Sequence, residues 1–175
     1  MAMSGLQMIR VDLTHEEQIN CTIYGLVRAT DYIDSWLGRQ AKRNFMADKR
    51  QINFPQMVDQ QSEAIGAELA LSKFLKYPFD YGNRNYKNKA DVGSNFEVKH
   101  TKWKDGSLIL YEHDRNQDIA VLVTGSMPFY YICGWIPISM ARRPSQRRND
   151  GCWWIGQQDL HPMANLVRSQ YADQL

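Results

Sequence analysis

Asp91 and, after a short gap, Glu97-Val98-Lys99 place two carboxylates and an amine where they could act together on a phosphate. Asp91 ends a short apolar segment, Gly93-Ser94-Asn95 can turn the chain, and Glu97 begins the return. From Phe96 onward the pattern has period two, which predicts a strand with Glu97, Lys99 and Thr101 on one face and Val98 and His100 on the other. A hard cation such as Mg²⁺ is held by one or two carboxylates, waters and phosphate oxygens. Asp91 and Glu97 supply that minimum, and Lys99 could orient a water or offset developing charge. The expected chemistry is metal-assisted hydrolysis of a phosphodiester.

Several elements must position these groups. Thr14 and Glu17 form a capping box, so a helix should start there and use Ile19, Ile23, Leu26 and Val27, with Tyr32, Ile33, Trp36 and Leu37 as a continuation or second helix. A further helix is expected from about Gln56 to Lys76, stopped by Pro78, followed by a loop over 81–89. Lys104-Asp105-Gly106 reads as a hairpin turn into a strand at 107–111. The runs IAVLVTG and FYYICGWI complete an expected four-stranded sheet; WWIG is another short strand, and QQDLHPMANLV should lead into a final helix.

These residues resemble the PD-(D/E)XK, or restriction-endonuclease-like, nuclease superfamily, matched here by Asp91 and Glu97-Val98-Lys99. Members commonly add a glutamate on the helix before the first strand, and GAELALSKFL is similar to that element, which gives the role to Glu68; Gly66 and Ala67 would let the helix sit close to the sheet. The resemblance implies an α/β fold: a restriction-endonuclease-like core with a mixed central β-sheet flanked by helices, over residues 56–136. It further implies a Mg²⁺-dependent deoxyribonuclease, Mn²⁺ substituting, with metal held by Asp91, Glu97, Glu68 and the Val98 backbone carbonyl. Lys99 would assist the water. Small phage-type proteins have such stripped-down cores. The chain departs from the pattern in having Ala90 where proline is usual, and in replacing the helix after the third strand by EHDRNQD.

DNA is the expected partner. The formal charge is only +2, but Arg84, Lys87, Lys89, Lys99, Lys102 and Lys104 are interrupted only by the acids Asp91, Glu97 and no others, and Arg142, Arg143, Arg147 and Arg148 crowd one loop around Pro144. With Thr101 beside the site and Trp103 as a stacking aromatic, these are the candidate nucleic-acid contacts. A solvated surface explains the clusters about as well. Asp91 could simply cap the turn, Glu97 and Lys99 could be a surface pair, and Glu68 an ordinary helical residue. His100 is read as a packing residue, while Asp114 and Asp118 could approach the site or equally form an exposed acidic turn before a buried strand. The rival readings are a catalytically inactive nuclease-fold protein that binds DNA or a protein partner, and a host-directed interaction protein that uses its helical N-terminal portion as the working surface.

Composition bounds the rest. The chain of 175 residues, 43% hydrophobic and 11% aromatic, suits a single domain with residues 1–50 as a helical extension and 137–175 as basic loop and C-terminal elements. Cys21, Cys133 and Cys152 have neither disulfide-framework nor zinc spacing, so reduced thiols are expected. No GxSxG, GxxxxGK[ST] or GxGxxG occurs, which argues against acyl transfer and nucleotide hydrolysis. With no apolar run of about 18 residues and no basic-then-apolar leader, the expected location is intracellular, cytoplasmic, away from membranes. A homodimer is the expected assembly, because one such site cuts one strand at a time.

Overall fold

A computed structural model describes residues 7–38, 53–82 and 89–172. The elements in chain order are β1 (Ile9–Asp12), α1 (His15–Gly38), α2 (Phe54–Leu75), β2 (Phe96–Thr101), β3 (Leu108–Leu110), β4 (Ile119–Ser126), β5 (Phe129–Pro137), a single turn α3 (Ile138–Ala141) and β6 (Trp153–Ile155). Two 3₁₀ segments, Gln157–Asp159 and Met163–Arg168, stand where a final helix was expected. No helix among the described residues is long and apolar enough to cross a membrane.

The central sheet is mixed, in the order β1-β5-β4-β2, with β2 parallel to β4 and the other pairs antiparallel. Its membership differs from expectation. β3 leaves the sheet to pair with β6, and β1 fills the far edge. The chain after β2 closes a turn at Trp103, whose carbonyl accepts from Gly106 N–H at 3.0 Å, but the strand beyond it does not return along β2.

Side-chain alternation on β4 sorts the interior into two layers. Val121 and Val123, with Phe96 of β2, pack under α2 against Ile65, Leu69 and Leu71. Ala120 and Leu122 face the other way, onto Leu108, Leu110, Trp153 and Ile155 of the small sheet. A register shift between Leu122 and Val123 is where Cys133 of β5 is skipped in the pairing.

α2 covers the first layer, and α1 packs chiefly against α2. α1 begins at the capping box read from sequence: Glu17 N–H donates to Thr14 Oγ1 at 3.2 Å and Thr14 N–H to Glu17 Oε2 at 2.7 Å. α2 has a second one, Asn53 with Gln56. From Ser62 to Ser72 α2 is buried almost all round, as a helix held between another helix and a sheet must be. A Cβ at Gly66 would collide with the Tyr130 ring, so glycine permits the close approach of α2 to β5. The turn between Asp91 and Glu97 is also as read: Val92 and Phe96 exchange two backbone hydrogen bonds, 3.1 and 3.2 Å, around Gly93 at φ +58°.

Candidate functional site

The strand face carrying Glu97 and Lys99 is the one that looks away from α2. Glu97 is paired in register with Ala120 and Lys99 with Leu122, both in the layer shared with the small sheet. Lys99 Nζ donates to Glu97 Oε1 at 3.0 Å and to Asp114 Oδ1 at 2.9 Å. Asp114 is held in turn by Tyr111 N–H, 2.8 Å from its Oδ2. Beside it Arg115 forms a two-pronged pair with Asp118 at 2.7 and 2.9 Å. Burial pulls the Lys99 ammonium down, but Glu97 and Asp114 together hold it above its ordinary value. Burial raises the Glu97 and Asp118 carboxyls, against the pull of Lys99 and Arg115 respectively.

Glu68 reaches the region from the opposite layer, on α2, and there it meets Arg28 of α1. The two form a buried bidentate pair, Nη1 to Oε1 at 2.7 Å and Nη2 to Oε2 at 3.0 Å. Asp91 lies between the two groups and accepts Val98 N–H at 2.8 Å on Oδ2. Burial, then Glu68 and Glu97, push its carboxyl well above the usual aspartate range.

This geometry corrects the expected metal-dependent nuclease. Among the described residues no group of three or more His, Cys, Asp or Glu side chains is placed to hold a metal ion. Glu68 and Glu97 both push the Asp91 carboxyl up, but the three do not form such a group. Each is committed elsewhere: Glu68 to Arg28, Glu97 to Lys99, Asp91 to the Val98 amide. The positive charge between Glu97 and Asp114 is the chain's own ammonium. Asp91, Glu97, Glu68 and the Val98 carbonyl therefore do not form the expected Mg²⁺ or Mn²⁺ site, and the deoxyribonuclease activity expected to rest on that metal has no such site among the described residues.

The expected nucleic-acid contacts divide into three groups. Arg84 and Lys87 lie outside the described residues, while Lys89 is exposed. Arg142 is spent on architecture: it donates to the carbonyls of Tyr111, Glu112 and Asp114 at 2.7–3.1 Å and to Asn116 Oδ1 at 2.6 Å, which holds the loop carrying Asp114. Arg143 is exposed, its Nε donating to the Met140 carbonyl at 3.1 Å, and Thr101 is half-buried, accepting from Trp103 N–H at 3.4 Å.

The third group is carried by the turn after β2 and by the loop before β6. Trp103 is 65% exposed with Lys102 Nζ 5.2 Å from its ring centre, and Lys104 is exposed beside it. Arg148 lies 4.4 Å over the Trp154 ring and Arg147 5.0 Å over Trp153. Gln157 Nε2 donates to the carbonyls of Lys104 and Gly106 at 2.8 and 3.1 Å, which fixes the turn after β2 against the 3₁₀ segment. Asp105 of that turn and Arg148 and Trp154 of the arginine loop and β6 border one cleft of about 470 Å³.

Sequence reasoning missed Arg28 as the partner of Glu68; of the two readings of Asp114, the structure takes the approach to the site, buried against Lys99. His100 is the packing residue expected, its Nε2 2.8 Å from the Gly125 carbonyl and its ring against Tyr130. Burial lowers its pKa. The Cys21 thiol is pushed up to about 12 and those of Cys133 and Cys152 are raised, all by burial first. Compared with known proteins, the chain matches no family model, no curated protein and no solved structure.

Proposed function

We propose that this chain is a DNA-binding protein on a nuclease-like arrangement, whose acidic residues serve the fold instead of cutting. The observation that carries the reading is a cleft walled by Arg148 and Trp154, next to Arg147 in the same loop and tied through Gln157 to the turn that bears Lys102, Trp103 and Lys104. Cations held over aromatic rings present both charge for phosphates and flat apolar area for bases. The relation to the PD-(D/E)XK superfamily remains part of this reading, supported by the Asp91 turn and the shared face of Glu97 and Lys99. Fluorescence anisotropy of labelled DNA tests it. Four phosphate contacts predict that log K falls with log salt at a slope of about −3 to −4 between about 50 and 200 mM. A salt-independent signal, or no binding at the lower salt, overturns it.

A second reading concerns assembly. On α1 the side chains of Ile19, Ile23 and Leu26 are 59%, 52% and 47% exposed at one-turn spacing, an apolar stripe suited to an interface between two copies of this chain. Sedimentation velocity should show a dimer for the wild type and a monomer for Ile23→Glu. A wild-type monomer overturns this second reading alone.

A further inference from the structure

The cleft beside Trp154 differs in character from its rim. Inside it are Ser107, Gln146, Gln158 and Asp159, with Asp105 at one edge; the cations Lys102, Lys104 and Arg147 lie outside, and Arg148 forms part of the wall. The carboxylates disfavour a phosphate inside the cleft, while amide and carboxylate oxygens are acceptors and amide nitrogens and the serine hydroxyl are donors. Such a lining matches the edge of a nucleobase. Its volume of about 470 Å³ falls within the range of about 300–1,000 Å³ common for small-ligand sites.

The walls fit the same occupant. Trp154 is fixed by its own Nε1, which donates to Asp150 Oδ2 at 3.0 Å, and its ring is covered on one side by Arg148 at 4.4 Å. Gln146 is fixed by Asp159, Nε2 to Oδ2 at 3.2 Å. Gln158 and Asp159 are exposed on the 3₁₀ segment that Gln157 pins to the turn bearing Trp103. A strand whose backbone met Arg148 at the wall and the cations of the turn that Gln157 holds would lay one base in the cleft and offer a neighbour to Trp103, two residues from the cleft-lining Asp105.

Resting on the DNA-binding reading above, we infer that this cleft takes an unpaired base, so that the protein prefers single-stranded DNA to duplex. In a duplex the hydrogen-bonding edge that the glutamines and Asp159 would meet is already paired, and its bases offer Trp103 no free face. The acceptor-rich lining further favours bases that carry an exocyclic amine, as carboxylates accept from cytosine N4.

The test is competition of oligo(dC), oligo(dT) and a duplex of equal length for the full chain, with Trp103→Ala and Gln158→Ala, both exposed positions whose loss leaves the core intact. Oligo(dC) should bind most tightly. Trp103→Ala should lower single-strand affinity about 5- to 150-fold, the worth of one stacked base, and lower duplex affinity by less than that. Gln158→Ala should narrow the difference between oligo(dC) and oligo(dT). Equal binding of single strand and duplex, with both variants unaffected, overturns the cleft assignment and leaves DNA binding standing; binding of neither overturns both.

Discussion

Two regions of this molecule carry charge beside aromatic rings, and they use it in opposite ways. Around Lys99 the charges are turned inward: Glu97, Asp114 and the ammonium satisfy one another within 3.0 Å, and Glu68 is closed by Arg28. Around Trp103 and Trp154 the cations stand at the surface over aromatic faces, and the nearest acids line a cleft. Charge that is paired inside the fold specifies geometry and leaves little for a ligand; charge left at a wet surface costs little to display and can be matched by a polyanion. The lesson is that a motif in sequence marks where acids and a lysine lie, while their partners decide what they can do.

The largest expected effect breaks the inward pair. Glu68→Ala should cost about 3–5 kcal/mol in denaturant unfolding, because it breaks a buried bidentate ion pair between α1 and α2. The double variant Arg28→Met/Glu68→Leu should recover most of that loss. If Glu68→Ala unfolds like the wild type, the pair does not hold α1 to α2 as described.

The outward region is sharpened by Arg147→Ala/Arg148→Ala. Removing two phosphate contacts should flatten the salt slope of DNA binding by about 1–2, whereas Glu97→Gln should leave the slope unchanged. An identical slope in the arginine variant would remove those residues from the interface.

Asp91 gives the comparison a pH dependence. Its folded carboxyl holds a proton more tightly than the unfolded one, so its contribution is fully present below the ordinary aspartate value of about 3.9 and is lost as pH rises through the raised, folded value. Asp91→Asn keeps an acceptor for the Val98 amide and removes the charge. The variant should therefore gain thermal stability over wild type as pH rises from 4 toward 7 on the scale set by that shift. A variant less stable than wild type at neutral pH contradicts this. Smallest of all, Trp103→Ala should change stability by no more than about 0.5 kcal/mol in the same unfolding assay, since its ring packs in no core.

Much of the local structure was legible beforehand. The Thr14–Glu17 cap, the extent of α2, the turn at Gly93 and the shared face of Glu97 and Lys99 follow from short-range pattern, because each is decided within a few residues. What was not legible is non-local. Nothing in the run Leu108–Leu110 says that it will pair with Trp153–Ile155 instead of β2, and nothing in Ile9–Asp12 announces β5 as its neighbour. The same holds for the site. Arg28 stands forty positions from Glu68, and Asp114 fifteen from Lys99, so the pairings that close the acidic residues depend on the packing of α1 on α2 and on the loop that Arg142 holds. The basic clusters were visible as composition; which arginines face solvent and which brace a loop was not.

The central claim is that the acidic residues serve the fold and the tryptophan-bearing surface serves DNA. It is tested most directly by following DNA binding and strand integrity together, in Mg²⁺ and in EDTA, for the wild type and Glu97→Gln. The account predicts salt-sensitive binding of equal strength in both buffers, intact strands throughout and no loss in the Glu97 variant. Strand scission in Mg²⁺ that EDTA and Glu97→Gln both abolish would contradict it.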